Sequence, residues 1–210
     1  MVRSGSDFRP SRRRRFDAPL TIGVVSDTHV NPRGARRLPT EVIDLFARFD
    51  TGLILHAGDV NTASVLCALA TVAPVLAVTG NNDDAELREL IPESVQFQVG
   101  RFRFAMLHGH GGQSARSEAR RRFAGEVDCV VYGHSHIPLI EREGDTILFN
   151  PGSATDRRWG DHFGVGLIQV TEDGIEPELV LYQDPRHLRN VQPSTVSHQP
   201  SAVHDSECDA

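Results

Sequence analysis

Lysine is absent from the 210-residue sequence, and all 22 basic residues are arginines. Every cationic side-chain contact apart from those of histidine must therefore use the planar guanidinium group, which suits the oxygens of phosphate. Residues 20–182 carry 14 arginines against 22 acidic residues, a net charge of −8. Such a balance argues against a dedicated nucleic-acid-binding surface on this part of the chain.

Long apolar runs are also absent, since no stretch approaches the roughly 20 residues that cross a membrane. The segment Ser11–Phe16 superficially resembles a twin-arginine export signal. The apolar run that follows it, Leu20–Val25, is too short for such a signal and leads directly into Asp27 and His29. Cleavage after that run would remove two candidate functional residues, so we expect neither export nor membrane binding.

Cysteine is scarce: Cys67, Cys129 and Cys208 are odd in number and widely spaced. This pattern does not suit a disulfide framework or a zinc site built from thiolates. We interpret the three as reduced thiols and expect a cytoplasmic protein.

Composition divides the chain into three segments. Residues 1–18 are polar and Arg-rich, and residues 183–210 are rich in Pro, Ser, Gln and His. Neither shows apolar periodicity, so we expect a disordered arm and a disordered tail. Residues 19–182 would form one domain, because a folded part of about 160 residues buries about 70% of its unfolded surface. A second interpretation stays open, in which Arg12–Arg15 bind nucleic acid or an anionic surface.

Five apolar runs of strand length each end in polar side chains. The residues at these ends are Asp27 and His29, Gly58 and Asp59, Gly80 to Asp83, His108 and His110, and His134 and His136. One carboxylate or imidazole after a strand is usually a cap, but five strand ends of one kind favour a shared site. The pattern up to Asn81 is βαβαβ, which is typical of a parallel sheet with ligands at the carboxyl ends of its strands.

The rest of the chain is predicted to be mostly antiparallel. Ser94–Val99 and Arg101–Leu107 alternate apolar and polar residues around Gly100, as in a hairpin. A helix is predicted over residues 113–124, and its arginines are more typical of a solvated face than of a phosphate clamp. They are Arg116, Arg120, Arg121 and Arg122. Further strands follow, and two sheets packed face to face with helices outside would accommodate both halves.

Seven of the side chains at the strand ends are candidate metal ligands. They are Asp27, His29, Asp59, Asn81, His108, His134 and His136. Carboxylate, carboxamide and imidazole together suit Mn, Fe, Zn or Ni. Seven ligands are too many for one ion with an open position, whereas one bridging carboxylate would let them hold two ions about 3.5–4 Å apart. We therefore predict two divalent metal ions, with manganese as the first expectation.

The order of these residues, together with Asn150–Ser153, resembles the calcineurin-like metallophosphoesterase superfamily, specifically its small YfcE-like phosphodiesterase branch. The resemblance extends from about Leu20 to Tyr182. It implies an α/β fold, a four-layer αββα sandwich of two mixed β-sheets flanked by helices.

The resemblance also implies roles for individual residues. It assigns Asp27, His29 and His136 to one ion, Asn81, His108 and His134 to the other, and Asp59 to both. A hydroxide shared by the ions would attack phosphorus, and Asp59, Asn81 and His110 would act most directly in catalysis. The residues expected to support the ligands or contact substrate are His56, Asn82, Asp83 and Asn150. His56 is more simply explained as orienting Asp59 or a neighbouring loop.

One position departs from the family pattern. Many members have His directly after the ligand Asn, where this chain has Asn82. An amide cannot act as a general acid, so alkoxide leaving groups should react slowly unless His110 or a metal-bound water supplies the proton.

These residues predict a binuclear metal-dependent phosphodiesterase that acts on a small or nucleotide-like diester. Two alternatives stay open. One is a non-catalytic interaction scaffold, because the same fold occurs in a retromer subunit that works as an interaction platform. The other is a nuclease that holds nucleic acid with the Arg-rich arm. Loss of a ligand would favour the scaffold, and none of the seven is missing.

Overall fold

The computed structural model describes residues 14–31, 33–111 and 114–192. Its strands are β1 Arg15–Phe16, β2 Leu20–Val25, β3 Leu53–His56, β4 Val75–Ala77, β5 Ser94–Val99, β6 Phe102–Leu107, β7 Cys129–Val131, β8 Leu139–Glu143, β9 Thr146–Asn150, β10 Phe163–Val170 and β11 Ile175–Tyr182. Its helices are α1 Thr40–Arg48, α2 Ala63–Leu69, α3 Ala85–Leu90, α4 Ala115–Phe123 and a 3₁₀ helix, Pro185–Asn190.

The first sheet has the order β11-β10-β2-β3-β4. Strands β2, β3 and β4 are parallel, with Val24 opposite Leu55 and Leu55 opposite Leu76, as the βαβαβ pattern predicts. Helices α1 and α2 make the crossovers that parallel strands require. β10 lies antiparallel to β2 and pairs with β11 in a hairpin. The segments that follow β2, β3 and β4 therefore leave the sheet at one edge.

The second sheet has the order β1-β5-β6-β7-β9-β8. The predicted hairpin is present as β5 and β6, and β8 and β9 form another. The expectation of a mostly antiparallel second half is wrong for the centre of this sheet, because β6, β7 and β9 pair in parallel. α4 returns the chain between β6 and β7, and β8 lies beyond β9 at the edge. Three more carboxyl ends are thereby brought to one edge.

Alternation along the strands sends side chains into separate apolar layers. Ile22 and Val24 pack between the two sheets, whereas Val25 and Ile54 pack against helices on the outer face of the first sheet. On the outer face of the second sheet, α4 packs through Phe123 and its alanines. The predicted four-layer αββα sandwich of two mixed sheets is confirmed.

Both terminal segments contain ordered residues that the sequence analysis assigned to disorder. In residues 1–18, Arg15–Phe16 pair in parallel with β5, and Phe16 is buried. In residues 183–210, Leu188 is fully buried, and its carbonyl accepts a hydrogen bond from Arg48 Nη2 at 2.6 Å. The predicted boundaries are therefore wrong at these points, because apolar side chains of each polar segment pack onto the domain. Residues 1–13, with Arg12 and Arg13, and residues 193–210 lie outside the described residues.

The arginines of α4 make ion pairs at the edge of the second sheet. Arg116 pairs with Glu141, and Arg120 pairs with Glu143, both on β8. Their guanidinium groups are thus engaged with carboxylates, in keeping with a helix face rather than a phosphate clamp.

Across the described ranges, no helix is long and apolar enough to span a membrane.

Candidate metal centre

Five candidate ligands adopt a backbone conformation that is unusual for residues with a side chain. Asp27, His29, Asp59, His134 and His136 have φ values of 53°, 44°, 54°, 67° and 58°. These angles lie in the left-handed region, which costs free energy in residues other than glycine and is concentrated at functional sites. Each of these residues lies two to five positions after the end of a strand, in the loop where the chain turns away from the sheet.

The side chains meet as two groups. One consists of Asp27, His29 and His136, and the other of Asp59, His108 and His134. Within each group, one potential ligand atom from every residue lies within 4.8 Å of the others. Six of the seven predicted ligands are thus brought together, and the first group has the three residues that the resemblance assigned to one ion.

The first group converges on the Oδ1 atom of Asp27. His136 Nε2 lies 3.2 Å and His29 Nε2 lies 3.7 Å from this atom, and the two Nε2 atoms are 3.1 Å apart. His136 donates through Nδ1 to the carbonyl of Asp156, so its Nε2 carries a lone pair in the neutral ring. Asp27 Oδ1 is buried and has no hydrogen-bond partner among the described residues. Acceptor atoms that converge in this way fit a bound cation.

The second group is built in the same way. His108 Nδ1 lies 2.7 Å from the carbonyl of Ala57 and donates to it, which leaves a lone pair on Nε2. That Nε2 is buried without a hydrogen bond in the described part of the chain, 3.3 Å from Asp59 Oδ2. The same oxygen lies 3.5 Å from His29 Nε2 of the first group. Asp59 therefore faces both groups, as a bridging carboxylate would.

The electrostatics of the site keep both carboxylates ionised and favour the neutral form of two of its imidazoles. Burial alone would raise the pKa values of Asp27 and Asp59, but the neighbouring histidines and hydrogen bonds from Ser26 and Asn82 lower both pKa values below the ordinary range. Burial lowers the pKa values of His29 and His134, so both rings favour the neutral form. His108 differs, because Asp59 and Asp27 outweigh burial and raise its pKa. Ionised carboxylates and neutral imidazoles are the forms that bind metals.

Two glycines that precede ligand positions are required by close packing. A Cβ atom on Gly80 would lie 2.1 Å from Asp59 Oδ1, and one on Gly133 would lie 2.0 Å from Ser26 Oγ. Neither distance is sterically possible, so only glycine lets these backbones approach the carboxylates.

Asn81 and Asn82 take different positions relative to Asp59. Asn82 is the one that contacts Asp59, donating from its backbone N–H to Oδ1 at 2.8 Å and from Nδ2 to Oδ2 at 2.7 Å. Asn81 is exposed, and its carbonyl accepts from Arg88. Asp83 is buried and accepts from the N–H groups of Gly80 and Asn61, each at 2.7 Å. Asp83 therefore holds this loop in place. The role of Asn81 as a ligand stays a prediction.

His56 and His110 occupy different positions. His56 is fully buried with Nε2 3.0 Å from Thr28 Oγ1, so it braces the loop between the first two ligands. His110 is exposed, and its ring centroid lies 5.5 Å from that of His108 and 6.5 Å from that of His134. It stands at the rim of the site, within reach of a bound substrate.

A polar network holds the ligand loops from behind, and the sequence analysis missed most of it. Ser26 Oγ and the N–H of His134 both donate to Asp27 Oδ2, which directs Oδ1 into the site. Ser153 Oγ donates to the carbonyl of Asp27 at 2.7 Å. The predicted Asn150 donates to the carbonyl of Gly133 and to Ser135 Oγ, each at 3.0 Å. Serines are too common in loops for the pattern to single these out.

The comparisons with known proteins agree with the geometry. The chain matches the calcineurin-like phosphoesterase superfamily domain over residues 20–173. A protein of Methanothermobacter thermautotrophicus named "Probable metallophosphoesterase" is 36% identical over 163 residues, 77% of this chain and 92% of the relative. Phosphodiesterase YfcE of Escherichia coli is 28% identical over 168 residues, 71% of this chain and 87% of the relative.

Among solved structures, Vps29 of Entamoeba histolytica, crystallised with zinc, has a TM-score of 0.62 at 22% identity. The similarity covers 77% of this chain and 99% of that one, and at this identity it shows the fold alone. The family match covers most of the chain and includes all six residues that form the two groups. The chain belongs to the calcineurin-like phosphoesterase superfamily.

Proposed function

We propose that this protein is a metal-dependent phosphodiesterase that hydrolyses a small phosphodiester, with a hydroxide shared by two divalent ions as the nucleophile. The observation that carries the proposal is the position of Asp59 Oδ2, within 3.5 Å of imidazole nitrogens from both ligand groups. A carboxylate so placed can join two ions, which is the arrangement used for in-line attack on phosphorus.

Each ion has its own set of side chains. Asp27, His29 and His136 would hold the first, and His108 and His134 would hold the second together with Asn81. When bound, such a pair supplies a nucleophile near neutral pH and positive charge that neutralises the phosphoryl oxygens. Oxygen and nitrogen donors without a thiolate suit Mn, Fe, Zn or Ni, and manganese is our first expectation.

The side chains around the ions orient ligands and handle protons. His108 and His136 each donate from Nδ1 to a backbone carbonyl, which fixes Nε2 toward the site. His110 lies beside both His108 and His134, where its ring, in the imidazolium form, can protonate a leaving group and become neutral. Asn82 lies closer to Asp59, but its amide can only donate a hydrogen bond and cannot release a proton.

The test is metal analysis together with hydrolysis of a bis-nitrophenyl diester after reconstitution with each candidate metal. We expect manganese to approach two ions per chain and to support turnover. Asp59→Asn should lose most of the turnover and weaken both ions, since it removes the shared charge. Asp44→Asn, an equivalent change on the exposed face of α1, is the matched control and should change neither. A ceiling of one ion per chain, or full activity in Asp59→Asn, would refute the binuclear proposal.

The fold similarity to Vps29 supports one alternative, an interaction scaffold. A fully metal-loaded protein that hydrolyses neither diesters nor monoesters with any of the metals would favour the scaffold. Cleavage of oligonucleotides that depends on the Arg-rich arm would favour a nuclease instead.

A further inference from the structure

Trp159 is the single tryptophan of the chain and is fully exposed. The large apolar side chains that are exposed in the described residues are Leu90, Ile137, Ile140, Trp159 and Leu181. Trp159 is the only aromatic residue in this group, and Ile137 comes directly after the ligand His136. Tryptophan usually gains its contribution to stability from burial, so a fully exposed ring contributes little to the fold.

The turn that presents Trp159 is held on both sides. The N–H of Gly160 donates to the carbonyl of Arg157 at 2.8 Å. Arg157 in turn donates to the carbonyl of Asp161 at 2.9 Å, and its guanidinium lies 5.9 Å from the centroid of the Phe163 ring. The preceding Arg158 has a left-handed φ of 47°, and its N–H donates to Asp156 Oδ1. The ring therefore projects from a defined turn.

The same turn is attached to the metal centre. The carbonyl of Asp156 accepts the Nδ1–H of the ligand His136, and Arg158 Nη1 lies 3.4 Å from the carbonyl of the ligand His134. Trp159 follows Arg158 directly and so belongs to the turn that contacts both ligand histidines.

The loop that follows the ligand His29 is rich in arginine. The loop after His29 carries Arg33, Arg36 and Arg37 and no acidic residue between positions 30 and 40. Arg36 pairs with Asp156 Oδ2 at 3.1 Å, which joins this loop to the turn of Trp159. Guanidinium groups suit phosphate oxygens. An aromatic ring beside guanidinium groups is the combination that binds a base and its phosphate together.

We propose that Trp159 is a stacking platform for a planar aromatic group, a nucleobase, attached to the phosphodiester at the metal centre. This subsite specifies the substrate class of the proposed phosphodiesterase, so the inference rests on the proposed function. The arginines of the loop after His29 hold the phosphate side of the ligand, and the indole covers one face of the base.

Fluorescence of the single tryptophan tests the subsite directly, without turnover. Manganese-reconstituted protein is titrated with adenosine 5′-monophosphate or with ribose 5-phosphate, which carries the same phosphate but no base. Excitation at the long-wavelength edge of the indole band avoids absorption by adenine. We expect the adenine compound to quench the emission and to bind about 5- to 100-fold more tightly than the sugar phosphate. Equal affinity for both compounds, or binding of the adenine compound that leaves the emission unchanged, would overturn the proposal.

Substitutions separate stacking from a structural effect. Trp159→Ala should abolish the preference for the adenine compound, whereas Trp159→Phe should keep much of it because a planar ring remains. Leu181→Ala, at another exposed apolar residue, is the matched control and should keep all of it. The affinities of all variants for both compounds are measured by competition with a fluorescent phosphate ligand, because Trp159→Ala lacks the tryptophan whose emission would report binding. A Trp159→Ala protein that still prefers the adenine compound would refute the platform.

The two proposals can fail separately. Quenching by the adenine compound without any diester hydrolysis would refute the catalytic proposal and keep the subsite. Metal-dependent diester hydrolysis, with equal affinity for the adenine compound and the sugar phosphate, would keep the catalytic proposal and refute the subsite.

Discussion

Acidification should destabilise the protein through His56. This imidazole is fully buried, and its Nδ1 has no hydrogen-bond partner among the described residues. Burial lowers the pKa of His56 from 6.5 to about 3, against the opposing effect of the carboxylates of Asp27 and Asp59. The fold therefore accepts the neutral ring and resists its protonation.

The size of the effect follows from the difference between the folded and unfolded pKa values. In the unfolded chain His56 takes up a proton near pH 6.5, whereas in the folded protein it stays neutral down to about pH 3. Its contribution to stability is therefore complete above the unfolded pKa and is lost as the pH falls toward the folded pKa. Between about pH 7 and about pH 5 the loss amounts to about 2 kcal/mol of unfolding free energy. Since the folded pKa lies well below pH 5, this figure depends almost wholly on the unfolded pKa.

Urea unfolding of metal-depleted protein at these two pH values measures the loss, with His56→Gln as the matched variant. Glutamine stays neutral throughout this range, and its amide can keep a hydrogen bond to Thr28 Oγ1. We expect the wild-type protein to lose about 2 kcal/mol more than the variant between the two pH values. The other histidines titrate in both proteins and cancel in the difference. An equal loss in both would refute the assignment of a neutral, buried imidazole at this position.

Two further predictions concern the leaving group and the C-terminal segment. Asn82→His should raise hydrolysis of an alkyl phosphodiester by about 10²-fold and change that of a bis-nitrophenyl diester little, because only the alkoxide needs a proton. Equal changes on both substrates at equal metal content would contradict this. Leu188→Ala should lower the unfolding free energy by about 2–5 kcal/mol because the side chain is fully buried. Leu181→Ala, at a half-exposed position, is its control, and an unchanged urea midpoint for Leu188→Ala would show that the segment does not pack.

The elements with a strong apolar pattern could be predicted from the sequence. The strand Ser94–Val99 has the predicted boundaries, and its partner begins at Phe102 rather than Arg101, because alternating apolar residues on both sides of Gly100 define the hairpin. Helix α3, Ala85–Leu90, was not predicted, since it is six residues long and buries only Leu87. Its start depends on the side chain of Asp84, which accepts from the N–H of Leu87 at 2.9 Å. Parallel pairing of β6, β7 and β9 was also missed, because alternation within a strand does not determine which strands become neighbours.

The carboxylates and imidazoles of the site could be predicted for a related reason. Each lies near the end of an apolar run. Parallel pairing brings such ends together within each sheet, and the face-to-face packing of the two sheets brings both sets to one site. The neighbouring amides could not be assigned in the same way. Asn81 and Asn82 are chemically identical, and only the backbone angles of the turn decide which one faces Asp59. The same limit applies to Ser153, whose hydroxyl reaches Asp27 from 126 positions along the chain.

The strained backbone of the ligand loops connects metal binding to folding. Asp27, His29, Asp59, His134 and His136 adopt left-handed angles, at a cost of about 1–3 kcal/mol each. Burial of Asp27 Oδ1 and His108 Nε2 without hydrogen-bond partners in the described chain adds to that cost. The hydrogen bonds from Ser153 and Asn150 hold the backbone but do not reach these two atoms. A cation held by each ligand group would satisfy one of these atoms, so ions bound only by the folded chain would add RT ln(1 + [L]/Kd), about 4 kcal/mol at a thousandfold excess over Kd. The arrangement that leaves these ligand atoms unsatisfied would therefore also tie the stability of the fold to metal binding.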